Sequence, residues 1–314
     1  MDFNFDWDKL SEQAPAFNNY EKRSFEADKR FWKLARNEND EGNAIIRLLP
    51  DKTGKVPFVA IQAYSLPKMV GKTSKGTANY FLARNAPATI NLEDPIKDYY
   101  DYLMSIGTKE AAEEAKNFKP KTKFYVNIKI IKDPLNKQNE GKVMLWEFSS
   151  VMRKKFEQWM SPSDDEIDLG AEPKQLFNPM TGCNILLKIR KDKTKNMYSY
   201  ESSEVQSPTA VYKNTQDAIK DIKENCVDLT AEFLSPEYYD SYQVLEKDLN
   251  FYLAKRKEIE GISFKEVKPI KQTSTSHVNK AIQTGDPKVV KSVEDEIPFD
   301  VDTTSHTSSQ TVDE

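Results

Sequence analysis

Two segments of the chain interleave basic residues with aromatic residues, a combination suited to binding nucleic acid. The first covers residues 118–125, and the second begins at Lys188 and continues through Lys191, Lys193 and Lys195 to two tyrosines, with a tryptophan strand between the segments. Lysine and arginine neutralise phosphates, and an exposed ring that stacks on an unpaired base contributes about 1–3 kcal/mol. The pattern therefore predicts a single-strand binding surface. Its candidate residues are Lys119, Lys121, Lys123, Phe124, Tyr125, Trp146, Lys188, Arg190, Tyr198 and Tyr200.

Other kinds of chemistry find little support in the sequence. Gly71-Lys72-Thr73 resembles part of a phosphate-binding loop, but Leu66 stands where that loop needs a glycine, which predicts a mobile polar loop instead. There is no Cys-x-x-Cys pair, and the two histidines, His277 and His306, are both near the C-terminus. No histidine is therefore placed as a general base in the predicted core, and no carboxylate pair stands out by its spacing. We expect no catalytic residue, cofactor or metal ion.

The elements that would carry these residues follow from hydrophobic periodicity. Alternating patterns predict strands over residues 44–49, 123–130, 143–148 and 184–190. In the second of these strands Phe124 should face inward and Tyr125 outward, which makes Tyr125 the better candidate for stacking. Helical spacing predicts helices over 109–117, 151–160 and 218–226. A longer helix should start at Ser235-Pro236 and carry one apolar stripe of Tyr238, Tyr242, Leu245, Leu249 and Tyr252. This order favours an α+β fold on a small five-stranded barrel of the oligonucleotide-binding (OB) type.

Composition divides the chain into an arm, a core and a tail. Residues 1–30 form a polar N-terminal arm, and residues 31–262 form the predicted binding core, with 51–118 as an inserted subdomain. Residues 263–314 are rich in Ser, Thr, Lys and Asp and poor in apolar residues, so we expect a disordered acidic tail.

Charge is segregated in the same way. The net charge of the chain is −4, but residues 1–19 carry −3 and residues 292–314 carry −7, which leaves residues 20–291 at +6. A basic body with acidic ends is typical of a surface that binds a polyanion and of a tail that mimics the polyanion. A purely solubilising role for the tail remains the alternative.

Membrane and secreted classes are disfavoured. No stretch approaches the roughly 18 consecutive apolar residues that a membrane span needs. The first residues are acidic rather than basic, unlike a secretory signal. Two cysteines, Cys183 and Cys226, are too few for a disulfide framework and fit a reducing cytoplasm. We therefore expect a cytoplasmic protein, in the bacterial host if a phage encodes it.

Three blocks of sequence resemble a known family. They are Trp32-Lys33-Leu34 with Asn43–Pro50, Lys121–Ile128 with Lys132-Asp133-Pro134 and Asn139–Val143, and Gly182–Lys188 with Tyr200-Glu201-Ser202. In this order they resemble the T-even-type bacteriophage helix-destabilising single-stranded DNA-binding protein, over about residues 31–205. The resemblance implies a barrel cleft that binds single strands with basic and aromatic side chains. By position it assigns this role to Arg47, Lys119, Lys121, Tyr125, Trp146 and Tyr200.

The chain departs from that family in two places. The family has a structural zinc ion held by one His and three Cys, whereas residues 51–118 contain neither residue type. Zinc is therefore not expected, and apolar packing must hold that region. The family's N-terminal arm carries a basic run that promotes cooperative binding, but here only Lys22-Arg23-Ser24 resembles it. Self-association along DNA through the arm is correspondingly in question.

The tail carries a further resemblance. Asp295-Glu296-Ile297-Pro298-Phe299 is similar to the acidic Asp-Ile-Pro-Phe tip of bacterial single-stranded DNA-binding proteins, which docks on genome-maintenance partners. The resemblance implies contacts with replication and recombination proteins such as a polymerase, a helicase loader or a recombinase. A chance match in a polar tail is equally compatible with these five residues.

Taken together, the residues predict a non-enzymatic protein that coats single-stranded DNA during replication, recombination and repair. An acidic tail would modulate access to DNA and recruit partners. Two alternatives from other classes remain, a protein-binding adaptor with weak affinity for nucleic acid and a magnesium-dependent nuclease. RNA binding is a variant of the single-stranded DNA-binding hypothesis, because a stacking cleft tolerates either sugar.

Overall fold

Strand β7, at the centre of the main sheet, organises the fold. The computed structural model describes residues 28–73, 76–192 and 197–262, which mix a large sheet with several helices and confirm the α+β class. The strands are β1 Phe31–Trp32, β2 Gly42–Leu49, β3 Val59–Ser65, β4 Met69–Thr73, β5 Gly76–Tyr80, β6 Ala83–Asn85, β7 Lys121–Lys132, β8 Val143–Phe148, β9 Cys183–Asp192, β10 Met197–Ser199 and β11 Glu204–Pro208. The helices are α1 Pro95–Ile106, α2 Lys109–Ala115, α3 Ser150–Met160, α4 Asp164–Asp168, α5 Thr215–Asn225, α6 Leu229–Phe233 and α7 Tyr242–Glu260.

The sheet follows the order β1-β8-β7-β2-β9-β10. One edge of β7 pairs with β8, while the other pairs first with β3 and then with β2. Strand β11 adds to β9, and β1 pairs with β8 in parallel. Within the described ranges these pairings leave an open path from β1 to β10, so a closed barrel of the predicted type is not shown.

The four strands predicted from alternation are confirmed, and their apolar face forms the main core. On β7 this face consists of Phe124, Val126, Ile128 and Ile130, all of them buried. Helix α3 covers the core with Met152 and Phe156, whose spacing of four residues puts both on one side of the helix. A period of two in the strands and of about 3.6 in the helix was enough to predict this layer.

The opposite face of β7 is not exposed, contrary to the prediction for Tyr125. Only 3% of Tyr125 is accessible, and its ring stacks on Phe233 of α6 with centroids 4.5 Å apart. Next along this face, Asn127 is also buried and exchanges two hydrogen bonds with the backbone of Val227, at 3.0 and 2.9 Å. Residues 227–233 therefore cover the face that alternation predicts to be solvated.

A second core holds the region between β3 and β7. It joins Leu66, Ile96, Leu103 and Phe118 to residues of α7, including Leu249. Strand β3 also pairs with β7, which ties this region to the main sheet. Apolar packing supports the region, as the sequence predicts. In the part of the chain that the structure describes, there is no group of three or more His, Cys, Asp or Glu residues that could hold a metal ion.

Helix α7 begins later than predicted. Ser235 makes no side-chain capping bond, and Pro236–Tyr238 forms a single 3₁₀ turn. The cap is Ser241, whose hydroxyl accepts a hydrogen bond from the backbone nitrogen of Val244 at 3.4 Å. The stripe of Leu245, Leu249 and Tyr252 is buried as expected, but Tyr238 lies before the helix.

Gly71, Lys72 and Thr73 belong to β4, which pairs with β5, so the predicted polar loop is a strand. Gly71 fits there because α7 packs against it. A Cβ atom on Gly71 would lie 2.9 Å from Ile259 and from Tyr80.

Across residues 28–262, apart from the two short gaps, no helix combines the length and the apolar character that a membrane crossing requires.

Candidate nucleic-acid interface

A cleft of about 770 Å³ opens where β1 and β8, at one end of the sheet order, come close to the β9–β10 hairpin at the other end. Cations and aromatic rings from distant parts of the chain border it, as the sequence predicts for a single-strand site. Its lining residues are Asp28, Phe31, Trp32, Lys33, Leu34, Arg36, Lys123, Tyr125, Trp146, Glu147, Ile189, Tyr198, Tyr200 and Tyr238.

The rings in the cleft differ in accessibility. Tyr198 is 40% exposed, whereas Phe31, Tyr200 and Tyr238 are half-buried. Three others form the floor and are almost inaccessible, namely Trp32, Tyr125 and Trp146. Stacking on a base needs an open ring face, so the structure favours Tyr198, and next to it Tyr200, over the floor residues.

The β9–β10 hairpin brings Tyr198 to the cleft. Tyr198 lies directly opposite Lys191 in this antiparallel pair. Tyr200 follows the strand, and its ring meets Trp146 edge to face at 6.4 Å. Burial raises the pKa of the Tyr200 hydroxyl, so Tyr200 is neutral at physiological pH. A neutral phenol adds no repulsion to a phosphate chain.

Lys33, Arg36 and Lys123 supply positive charge to the cleft. Lys123 contacts Glu147, with Nζ and Oε2 3.2 Å apart, and both side chains are substantially exposed. An exposed ion pair of this kind contributes little to stability, so a phosphate can compete for Lys123 at small cost.

Lys119 and Lys121 are exposed but lie outside the cleft. Lys121 is two residues from Lys123 on β7 and therefore points to the same side of the strand. Lys121 and Lys123 therefore place two positive charges on one side of β7, with Lys121 farther from Tyr125 and from the cleft. Lys119 precedes the strand at the end of a 3₁₀ turn.

Lys188 and Arg190 face away from the cleft. Ile189 lines it, and alternation along β9 puts the side chains before and after Ile189 on the other side of the strand. Lys188 pairs there with Glu204 at 2.5 Å, and Arg190 with Glu41 at 3.6 Å. Lys193 and Lys195 lie outside the described residues. The second basic segment is thus split between two faces, which a count of charges along the sequence does not reveal.

Phe124 and Trp146 are core residues in this structure. Phe124 stacks on Phe148 at 5.3 Å, which agrees with the inward orientation predicted for it. Trp146 is 3% exposed and contacts Trp32 edge to face at 6.3 Å. The expectation of an exposed Trp146 ring is wrong, because β1 and Tyr200 cover the strand on which it lies.

Arg47 is fully buried, so the expectation that it faces phosphates at the surface is also wrong. Its Nη1 atom donates to the carbonyl of Asn178 and its Nη2 atom to that of Thr209, both at 2.7 Å. Burial lowers the pKa of this guanidinium from its usual value. Arg47 therefore ties two loops to β2.

Replacement of Arg47 by alanine should destabilise the fold by about 2–4 kcal/mol, because it truncates a fully buried side chain and removes that side chain's hydrogen bonds to the Asn178 and Thr209 carbonyls. Urea unfolding followed by circular dichroism would measure the change. Arg153→Ala, which removes a partly exposed arginine from α3, is the matched control and should cost less than about 1 kcal/mol. Equal stability of the two variants would contradict a structural role for Arg47.

Sequence reasoning missed Phe31, Arg36 and Tyr238 as cleft residues. Phe31 lies between Arg30 and Trp32-Lys33, and this alternation of cations and rings was a usable signal. Tyr238 was assigned to the stripe of a helix that starts only at Tyr242. Arg36 has no sequence signal of its own, since it reaches the cleft through a loop.

The proposed docking residues Asp295, Glu296, Ile297, Pro298 and Phe299 lie outside the described residues, as does most of the N-terminal arm.

Comparison with known proteins gives a consistent match. A family model described as gp32 DNA binding protein like matches residues 40–252, more than half of the chain. The chain is 26% identical over 221 residues to the single-stranded DNA-binding protein of Enterobacteria phage T2, covering 69% of this chain and 68% of that protein. Over 220 residues it is 25% identical to the single-stranded DNA-binding protein of Enterobacteria phage T4, with the same coverage. The chain belongs to the gp32 DNA-binding-protein-like family.

Proposed function

We propose that this protein binds single-stranded DNA, without strong sequence preference and without enzymatic activity, in the cleft between β1, β8 and the β9–β10 hairpin. The observation that carries the proposal is one cleft in which Lys33, Arg36 and Lys123 border the accessible rings of Tyr198 and Tyr200. The family match and the names of the T2 and T4 relatives support the same ligand.

The chemistry of the cleft suits a single strand better than a duplex. Cations on its rim meet the phosphate chain, while rings a few ångströms away meet the base faces, which a duplex keeps stacked on one another. The main sheet, in which β7 pairs with β2, β3 and β8, would serve as the binding surface of an OB-type architecture.

Titration with oligo-dT tests the proposal, with intrinsic fluorescence as the readout. Single-strand binding should quench the signal, and log K should fall with log salt at a slope of about −0.7 per phosphate neutralised, or about −2 for three cations. The absence of quenching and of any salt-dependent affinity would overturn the proposal.

Competition experiments separate the remaining alternatives. Single-stranded DNA should outcompete duplex DNA, and RNA of equal length shows whether the sugar matters. Cleavage of the oligonucleotide that depends on magnesium would favour a nuclease instead. Affinity no greater than that of a generic basic protein would favour a protein-binding adaptor.

In its biological context the protein would coat and destabilise DNA strands during phage replication, recombination and repair, in the cytoplasm of the bacterial host. Copies bound side by side would contact one another along the strand. The acidic tail would compete with DNA for the basic core and recruit a polymerase, helicase loader or recombinase through Asp295–Phe299. The charge difference of −7 against +6 supports this part of the proposal.

Deletion of residues 292–314 tests the role of the tail. Removal of seven acids should tighten binding to oligo-dT, most strongly at low salt, because the competing charge is gone. A variant with Ile297 and Phe299 changed to alanine keeps the charge and should lose only the partner contacts. If the deletion leaves DNA affinity unchanged, the tail does not compete for the cleft.

A further inference from the structure

A tight turn ahead of β2 holds a carboxylate next to the cleft. The Asn37 side-chain oxygen accepts hydrogen bonds from the backbone nitrogens of Asn39 and Glu41, and the Asn37 nitrogen donates to the Glu41 carbonyl at 2.8 Å. Asp40 lies in this turn with a φ of 62°, in the left-handed region that Asn and Asp tolerate best among residues with a side chain. The backbone thus fixes where the Asp40 carboxylate lies.

Asp40 contacts two residues that line the cleft, Tyr198 and Arg36, and a third residue outside the lining, Lys191. Its Oδ1 atom accepts a hydrogen bond from the Tyr198 hydroxyl at 2.8 Å, and its Oδ2 atom lies 3.3 Å from Nζ of Lys191. Nη1 of Arg36 is 3.8 Å from Oδ1. The bonds from Tyr198 and Lys191 hold the pKa of Asp40 below its usual value, so the carboxylate is charged. The Asp40 carboxylate therefore pairs with two cations and also accepts a hydrogen bond from the most exposed aromatic residue of the cleft.

Arg36 covers one face of that ring. Its guanidinium carbon lies 3.9 Å from the centroid of Tyr198, the geometry of a cation–π contact. The surface on which a base would stack is thus partly occupied in the protein without DNA. Since Arg36, Tyr198 and Lys191 all contact Asp40, we call these four residues the Asp40 cluster.

We propose that the Asp40 cluster is a closed nucleotide-binding unit, in which a DNA phosphate replaces Asp40 as partner of Arg36 and Lys191 and a base stacks on the ring face that Arg36 leaves. This inference rests on the proposed single-strand binding. Phosphate presents the same kind of oxygen pair to a guanidinium as a carboxylate does, so one can substitute for the other. Asp40 is then a positioning residue that keeps Tyr198 and Arg36 in place and limits affinity.

Asp40→Asn tests the exchange directly. Asparagine suits the left-handed backbone and still accepts a hydrogen bond from Tyr198, but it no longer holds the cations by charge. Oligo-dT affinity should rise about threefold to tenfold at low salt. The slope of log K against log salt should become more negative by up to about one, because no released carboxylate takes up a counterion.

Glu113→Gln is the matched control. Glu113 is also an exposed carboxylate in an ion pair with a lysine, Lys116 at 2.7 Å, but it lies on α2 and does not line the cleft. Both substitutions change the net charge by one, so a purely global electrostatic effect would move the two variants equally. We expect less than a twofold change for Glu113→Gln.

Arg36→Ala adds an independent measurement. Loss of the guanidinium should weaken oligo-dT binding several-fold and make the salt slope shallower by about 0.7, the value for one phosphate contact on a single strand. If wild-type protein binds oligo-dT but Asp40→Asn behaves like Glu113→Gln, or Arg36→Ala leaves affinity and slope unchanged, this inference is overturned and the proposed function stands. If wild-type protein does not bind oligo-dT, both fall.

Discussion

Replacement of Tyr198 by alanine should weaken oligo-dT binding about 10-fold to 100-fold, and Tyr198→Ala with Tyr200→Ala should weaken it further. One lost stacking contact costs about 1–3 kcal/mol, and Tyr198 is the most accessible ring in the cleft. Because the salt slope reports phosphate contacts, it should change little while the affinity falls. Fluorescence titration or filter binding at several salt concentrations separates the two quantities.

The control for Tyr198 is an exposed ring elsewhere on the surface. Phe251 on α7 is 57% exposed and lines a different groove, together with Tyr80 and Phe81. Phe251→Ala removes a comparable apolar ring and should leave DNA affinity within twofold. If both variants weaken binding equally, the binding surface extends beyond the cleft, and if Tyr198→Ala has no effect, Tyr198 is not a stacking residue.

Tyr125→Ala should destabilise the fold by about 3–5 kcal/mol, which is the usual cost of truncating a large buried aromatic residue. The Tyr125 ring fills the space between β7 and α6, where it stacks on Phe233 and meets Phe31 edge to face at 5.5 Å. Removal of the ring leaves a cavity that the sheet cannot close. Urea or thermal unfolding with a circular dichroism readout measures the loss.

Tyr125→Phe separates the structural role of this ring from a role in DNA binding. The variant keeps the stack on Phe233 and loses only the hydroxyl, which is 3.4 Å from Glu147. We expect a stability change below about 1 kcal/mol and unchanged affinity for oligo-dT. A Tyr125→Ala variant as stable as the wild type, but with much weaker DNA binding, would contradict the structural assignment.

Local pattern was sufficient to predict the main layer of the fold. The alternation of Phe124, Val126 and Ile128 and the helical spacing of Met152 and Phe156 both depend only on neighbours in sequence, and both were correct. The pairing of cations with rings also located Lys123, Tyr198 and Tyr200, which the structure brings to one cleft.

The sequence could not reveal which polar face is covered by distant segments. Asn127 and Val227 are 100 residues apart, yet their hydrogen bonds seal the face of β7 that looks solvated in the alternation. The family resemblance assigns Arg47 to the DNA-binding cleft, but loops at Asn178 and Thr209 close over it. Arg36 reaches the cleft from a loop that no periodicity describes.

Photo-cross-linking to a thymidine oligonucleotide, with the cross-linked residues mapped by mass spectrometry, shows directly whether single-stranded DNA occupies the cleft between β1, β8 and the β9–β10 hairpin. We expect cross-links at Tyr198 and Tyr200, and at Phe31 or Tyr238, which also line the cleft. Cross-links confined to the groove formed by Tyr80, Phe81 and Phe251, with none in the cleft, would contradict binding there.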